Sequence, residues 1–428
     1  MSSRRTTGER YIVQGPAILR GSIRTSGAKN HALAAMCAAL LTDEPVVLTN
    51  VPDLSDTSSI AELLHSLGAT IDYRPGVSMT ICAKGLSTVE APTELISENR
   101  ASFQVMGPLL ARQGMAACAE PGGDSIGQRP IEVHLGGFRA LGAIVERDGG
   151  RWLAKAPDGP GSLRGTRVFM DYPSVSGTQN VMMAAVLAVG RTTIVNAATE
   201  PEVQELAGLL KAMGAKIDGV GTQMLEIEGV TELHGAHYPI MPDRIEAGTF
   251  AVAAAMTGGH VRIEDAPVDV MEGLIAKLRL AGATIETVGE RCIEVSREGD
   301  LYPLNFQALP YPGIATDVQA PLTTMLTQAH GVSSVYERVF DNRMLYVGEL
   351  QKMGADIRSL GSQAIVTGPT KLDGTRVHAL DVRAGAAVLL AGLVARGTTT
   401  IEDIYHLDRG YERLDEKLRA LGARVERA

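Results

Sequence analysis

The sequence predicts an α/β protein built from six copies of one α+β unit, gathered as two lobes of three. The first observation behind this is a repeat. The tripeptide x-Gly-Ala recurs as Leu67-Gly68-Ala69, Leu141-Gly142-Ala143, Met213-Gly214-Ala215, Ala281-Gly282-Ala283, Met353-Gly354-Ala355 and Leu421-Gly422-Ala423, with successive starts 74, 72, 68, 72 and 68 residues apart. Six copies of about 71 residues account for all 428. The second observation is a set of helices apolar nearly all round, Ala32–Leu41, Val181–Val189, Gly248–Met256 and Gly385–Ala395. Such helices need neighbours on every side, which argues for bundles of three rather than a solenoid.

Each element of the unit has its own signal. Ile60, Leu63, Leu64 and Leu67 fall at i, i+3, i+4 and i+7, the stripe of a surface helix, and Leu414, Leu418 and Leu421 repeat it. The glycine of each tripeptide suits the left-handed position that ends a helix. A short β-prone run follows, as in Ala69–Tyr73 and Ala423–Arg427, and other runs follow the apolar helices, as in Pro45–Thr49, Thr192–Val195 and Thr398–Ile401. The unit therefore reads strand, buried helix, strand, surface helix, strand.

Composition narrows the function class. Hydrophobic residues at 45% and charged residues at 21% fit a globular enzyme. Only 4% are aromatic, so the cores must rest on Ala, Val, Leu, Ile and Met. A net charge of -9 argues against nucleic acid as a partner. The segment Met1–Arg10 is polar with no apolar stretch after it, and no apolar run reaches the roughly 18 residues of a membrane span, so a cytoplasmic location with no membrane partner is expected. Cys37, Cys82, Cys118 and Cys292 show no metal-like spacing and read as reduced thiols. His234 and His237 read as surface histidines, and neither a metal nor an organic cofactor is expected.

Local motifs then point to a family. Ser26-Gly-Ala-Lys-Asn30, Arg100-Ala-Ser102, Gly107–Arg112, Pro121-Gly-Gly-Asp-Ser-Ile-Gly-Gln-Arg-Pro130, Pro242–Thr249, Thr316-Asp-Val-Gln319, Val339-Phe-Asp-Asn-Arg343, Asp381-Val-Arg383 and His406–Glu412 run in order along almost the whole chain. Together they resemble the enolpyruvyl transferase family. The resemblance implies two inside-out α/β barrel lobes facing across a cleft. One lobe would be 27–237, carrying the Pro-Gly-Gly-Asp loop; the other would be 1–26 with 238–428, so that the first strand, Tyr11–Leu19, joins the C-terminal lobe. The loop around Pro121–Gln128 is glycine-rich and expected to move on substrate binding.

The resemblance also implies an activity: transfer of the enolpyruvyl group of phosphoenolpyruvate to the 3-hydroxyl of UDP-N-acetylglucosamine, the step that opens peptidoglycan synthesis. A phosphate and a carboxylate call for fixed cations, and arginine binds oxyanions bidentately. By resemblance Lys29, Asn30, Arg129, Arg343, Arg383 and Arg409 bind phosphoenolpyruvate. Lys29, Arg129 and Arg409 take its phosphate, and Arg343 and Arg383 its carboxylate. Asn30, Arg100, Arg129, Pro130, Ile131, Glu132, Val133, Tyr172, Pro173, Ser174, Val175, Asp317 and Val339 bind the nucleotide sugar. Lys29, Arg409, Asp124 and Asp317 are the expected catalytic residues. Asp317 would be the base near the attacking hydroxyl, although a helix N-cap is its plain structural alternative.

Asp124 departs from the usual pattern, because most of the family has a cysteine there as proton donor to C3. An aspartate beside arginines favours its ionised form, so donation needs desolvation or substrate anions that offset the arginines. Cys118, six residues earlier in an expected strand, reads as a packed thiol. Ser176-Gly177-Thr178 stands where the family more often has Gly-Ala-Thr, which leaves a paralogue acting on another uridine nucleotide as the alternative. A transferase acting on shikimate 3-phosphate ranks below both because it does not normally carry the Ser-Gly-Ala-Lys-Asn opening or the Pro-Gly-Gly loop, and a non-catalytic scaffold does because the charged positions are all present.

Overall fold

A computed structural model of the chain describes residues 8–124 and 126–428. They fall into two units. Gly27–Gly123 with Arg129–Met241 form the first; Asp124–Gln128 and Pro242–Ala428, with the described residues up to Ser26, form the second.

In the first unit the helices Lys29–Ala38, Met106–Gln113 and Val175–Ala185 pack together and are enclosed by sheets. One sheet runs His237–Pro239, Val46–Thr49, Ser78–Cys82, Thr70–Arg74, with its first pair parallel and the others antiparallel. Another repeats the scheme with Arg167–Phe169, Arg191–Val195, Met224–Glu228 and Lys216–Asp218. The middle copy keeps three strands, Met115–Ala119, Arg151–Lys155 and Ile144–Asp148, and an isolated parallel bridge from Glu90 to Ala117 stands in the place of the fourth. The surface helices are Ser55–Ser66, Glu132–Ala140 and Pro201–Ala212.

The second unit repeats the plan around the helices Arg244–Thr257, Thr316–Leu326 and Val382–Val394. Each of its three sheets opens with a parallel pair: Arg20–Arg24 on His260–Glu264, Asn305–Ala308 on Gly331–Glu337, and Arg376–His378 on Gly397–Glu402. In the last sheet Tyr11–Gly15 lies between Gly397–Glu402 and Arg424–Arg427, with Val13 opposite Thr399 on one side and Val425 on the other.

Side-chain size explains the inner position of these helices. Every residue from Ile245 to Thr257 is buried, and most are Ala, Gly, Val or Thr. A Cβ on Gly385 would stand 2.9 Å from Ala379 and 3.0 Å from Leu407, so this wall of the Val382–Val394 helix tolerates no side chain. The tripeptide glycines behave as expected: Gly68, Gly142, Gly214, Gly282, Gly354 and Gly422 have φ of 105°, 93°, 105°, 98°, 97° and 92°.

Two features differ from the sequence reading. The strand after each of the first five tripeptides is followed by a second, antiparallel one, as Thr70–Arg74 is by Ser78–Cys82, and the sixth, Arg424–Arg427, pairs with Tyr11–Gly15 instead. These returning strands are about five residues long, too short to stand out from a turn by periodicity alone. The inner helices also begin earlier than their apolar runs, at Lys29, Val175, Arg244 and Val382. Among the described residues no helix is long and apolar enough to cross a membrane.

Candidate active site

The early helix starts matter because the polar first turns carry most of the candidate residues. In the first unit Lys29 opens the Lys29–Ala38 helix and Asn30 follows, exposed. Lys29 is almost buried, with its ammonium 2.6 Å from the carboxylate of Asp56. A Cβ at Gly27 would sit 1.9 Å from the Asn50 carbonyl oxygen, so the approach to this helix needs glycine.

Arg100 starts the 3₁₀ segment Arg100–Val105, where the Asn99 side chain accepts the Ala101 N–H. Its guanidinium donates to the Arg129 carbonyl oxygen. Burial, and then the neighbouring charge of Arg129, push its pKa down to about 10, with Tyr172 and Glu120 opposing. Pro130 is exposed and Ile131 buried; Glu132 and Val133 open the Glu132–Ala140 helix, with Glu132 turned outward to Arg139. Tyr172 is exposed, Pro173 follows half-buried, and Ser174 caps the Val175–Ala185 helix by accepting the Gly177 N–H at 3.1 Å.

The sequence reading passed over His134. It is buried, with Nε2 3.3 Å from the Ser176 hydroxyl and Nδ1 3.0 Å from the Asn180 amide. Burial, helped by the charge of Arg100, lowers its pKa to about 3, so it is neutral. Its position three residues into the Glu132–Ala140 helix, on the buried face, was the available signal.

In the second unit Asp317 lies in the first turn of the Thr316–Leu326 helix. It is not the cap, which is Ala315. Its two carboxylate oxygens meet Arg343 at 2.8 Å and Arg383 at 2.9 Å. Burial alone would raise its pKa; the two guanidinium groups outweigh that and hold it well below the usual carboxylate range. For Arg383 burial is likewise outweighed, by Asp317 first and then Tyr411 and Asp243, and its pKa is raised. Both arginines are about 5% exposed or less. Arg343 Nε and Arg383 Nη1 are buried donors with no hydrogen-bond acceptor among the described residues.

Backbone and neighbours fix this cluster. Asp381 caps the Val382–Val394 helix by accepting the N–H groups of Arg383 and Ala384. Arg343 donates to the Thr316 hydroxyl at 3.0 Å, and Thr316 donates to Glu337 at 2.7 Å. Glu337 also accepts the Val339 N–H at 2.7 Å. The Arg383 guanidinium stands 5.2 Å over the Tyr411 ring. Farther along, Arg409 donates to Asp124, with His406 Nδ1 3.7 Å from the same carboxylate. Neither Tyr411 nor Glu337 was singled out from sequence, although Tyr411 lies within the His406–Glu412 motif.

The thiol nearest the Pro121–Pro130 motif is inert by environment. Cys118 is buried in the Met115–Ala119 strand, and burial pushes its thiol pKa up, away from the thiolate a nucleophile or acid–base cysteine needs.

The chain is similar to known proteins along almost its whole length. The chain is 48% identical over 420 residues to a UDP-N-acetylglucosamine 1-carboxyvinyltransferase of Carboxydothermus hydrogenoformans, covering 98% of this chain and 99% of that one. It is 47% identical, at the same coverage, to the enzyme of that name from Saccharophagus degradans. Among solved structures, the enolpyruvyl transferase NikO from Streptomyces tendae superposes with a TM-score of 0.89 at 25% identity, covering 98% of this chain and 99% of that one. EPSP synthase from Acinetobacter baumannii shares the fold, with a TM-score of 0.74 at 19% identity and the same coverage. The EPSP synthase (3-phosphoshikimate 1-carboxyvinyltransferase) family model matches residues 13–418, and the chain belongs to that family of enolpyruvyl transferases.

Proposed function

We propose that this protein transfers the enolpyruvyl group of phosphoenolpyruvate to the 3-hydroxyl of UDP-N-acetylglucosamine, releasing phosphate in the first committed step of peptidoglycan synthesis. The observation that carries the reading is Asp317 held between the buried Arg343 and Arg383. Those two forks suit the substrate carboxylate, and their unused donors add capacity for it. A carboxylate bound there competes with Asp317 for both partners and adds a negative charge beside it. The two effects raise the affinity of Asp317 for a proton, so substrate binding itself turns a paired carboxylate into a base.

In this reading the sugar oxygen bonds to C2 of phosphoenolpyruvate, Asp317 accepts the hydroxyl proton, and Asp124 gives a proton to C3. Loss of a C3 proton and cleavage of the C2–O bond to phosphate then complete the transfer. Lys29, Arg129 and Arg409 hold the phosphate. Asp124 touches Arg409, so the phosphate competes for the cation that Asp124 pairs with in the unliganded chain. Asn30, Arg100, Arg129, the 130–133 and 172–175 segments, Asp317 and Val339 bind the nucleotide sugar; the guanidinium-rich surroundings of Arg100 suit a diphosphate.

The test is phosphate release from phosphoenolpyruvate with UDP-N-acetylglucosamine, UMP or shikimate 3-phosphate as acceptor. Release with UDP-N-acetylglucosamine alone is expected. Release only with another uridine compound would move the chain to a paralogous reaction, which the Ser176 hydroxyl favours as the second reading. No release with any acceptor would end both readings.

A further inference from the structure

We propose that Ser26, Glu246, Glu412 and Lys417 form a positioning cluster for Arg409, an inference that rests on the phosphate role given to Arg409 above. All four belong to the second unit, and none is in the set of substrate-binding residues. Lys417 Nζ donates to the Ser26 hydroxyl at 2.7 Å and to Glu246; the Ser26 hydroxyl donates in turn to Glu412, and the Ser26 N–H donates to Glu246 at 2.7 Å. Glu246 is buried, and Ser26, Glu412 and Lys417 are half-buried around it.

The turn this network holds is over-determined for a simple connection. Arg409 is three residues before Glu412. Between Glu412 and the Leu414–Ala420 helix, Arg413 takes a left-handed φ of 47°, a conformation a non-glycine residue keeps only when its surroundings impose it. Glu412 and Lys417 flank that residue, and both end on Ser26. On the other side the Tyr411 hydroxyl lies 3.0 Å from that of Thr249, and a Cβ on Gly410 would stand 2.3 Å from Val382. The backbone from Gly410 to Arg413 is thus pinned on both sides, leaving Arg409 little freedom to wander. Burying the Glu246–Lys417 pair brings little net stability, so a gain in geometry is the better account of the arrangement.

The test uses the full chain with Glu412→Ala, Glu412→Gln and Lys417→Met, reading kcat, both KM values, the melting temperature and the affinity for inorganic phosphate. Glu412→Ala should raise the KM for phosphoenolpyruvate about tenfold and weaken phosphate binding similarly, as expected for a displaced cation, while the KM for UDP-N-acetylglucosamine stays within about twofold. Glu412→Gln keeps an oxygen to accept from Ser26 and should restore most of the loss. In an Arg409→Ala background, Glu412→Ala should add almost nothing. Equal changes in both KM values, no rescue by glutamine, or a full multiplicative loss in the Arg409→Ala background would each overturn the proposal. If Lys417→Met does not fold, the Glu412 pair decides alone. Were the wild type to bind phosphate without turning over UDP-N-acetylglucosamine, the functional reading would fail, and phosphate affinity would still judge the cluster.

Discussion

The two units treat their buried cations differently. In the second, cations sit against carboxylates: Arg343 and Arg383 on Asp317, Arg409 on Asp124, Lys417 on Glu246. In the first, the strongest charge acting on Arg100 is another guanidinium, that of Arg129, and the nearby His134 is neutral. Lys29 on Asp56 and Arg112 on Asp43 are the first unit's exceptions. The contrast teaches how each half meets an anion. Arg100 has a second guanidinium as its strongest neighbouring charge and gains by receiving an anion, whereas an anion entering the second unit must displace a carboxylate. In the functional reading the displaced carboxylates are the acid and the base, so that cost of binding is also what prepares the chemistry.

The sharpest way to break this pattern is at Asp124. Asp124→Asn keeps the shape and removes both the charge and the transferable proton; phosphate release should fall at least about 10³-fold. Asp124→Cys should retain activity and become sensitive to fosfomycin, the epoxide that alkylates the family's cysteine. The unchanged chain, with no thiolate there, should resist it. Intact-mass measurement of the adduct checks both. Wild-type alkylation at another residue, or an active asparagine variant, would take Asp124 out of the mechanism.

Next comes a matched pair, Asp317→Asn and Arg100→Met. The first leaves two buried guanidinium groups without their carboxylate, so it should lower the unfolding free energy by about 3 kcal/mol as well as cut kcat by roughly 10² or more. The second removes a charge that burial and Arg129 already oppose, so stability should move by less than about 1 kcal/mol. Its effect belongs in the KM for the nucleotide sugar, which should rise roughly tenfold for one lost charge-assisted contact. Urea midpoints with steady-state kinetics separate the two, and similar stability losses would erase the contrast.

Where the sequence was readable follows from the same physics. The six Gly-Ala steps stood out because a left-handed helix end admits few residues other than glycine, and the inner helices stood out because burial on all sides permits only small apolar side chains. Their first turns did not stand out: Lys29, Ser176, Arg244 and Arg383 interrupt the apolar pattern where the candidate site begins. Met106–Gln113 and Thr316–Leu326 carry Pro108 and Pro321 and stand out less than the other four inner helices for a related reason, since proline is a poor sign of helix interior. The arginines and aspartates came from motifs. Their partners Asp56, Glu337 and Tyr411 come from other repeats or other elements, and nothing in the spacing along the chain announces those meetings.

The pH response extends the comparison to stability. His31 and His134, both in the first unit, are lowered by burial from 6.5 to about 3. A depressed histidine contributes stability that is whole above 6.5 and is lost as pH falls toward 3, by about 1.4 kcal/mol per pH unit for each group. The second unit runs the other way. Burial raises Glu246 and Glu337, so protonation favours their folded form, and the depressed Asp317 keeps its contribution until pH drops below its usual value of 3.8. Between pH 7.5 and 5, amide exchange corrected for intrinsic rate should therefore speed up in the Val175–Ala185 helix and change little in Thr316–Leu326. His134→Gln should remove about half of that response, and an equal response in both helices would refute it.

The smallest expected effect concerns Ser176-Gly177. The Ser176 hydroxyl is 3.3 Å from His134, a long contact, so Ser176→Gly should cost less than about 1 kcal/mol and change the nucleotide-sugar KM by under about threefold. Gly177→Ala is less benign than its size suggests, because the new Cβ would stand 3.0 Å from Ser174, the cap of its own helix, and 3.0 Å from Val133. Adding Ser176→Gly does not relieve either contact, so the double variant that restores Gly-Ala should be no more stable than Gly177→Ala alone. What the pair does to acceptor choice decides its meaning. If Ser176→Gly shifts preference between UDP-N-acetylglucosamine and another uridine nucleotide by tenfold or more, the hydroxyl reads the acceptor. If preference is unmoved, Ser176 only steadies a neutral histidine, and the first unit's selectivity rests on other residues of the 130–133 and 172–175 segments.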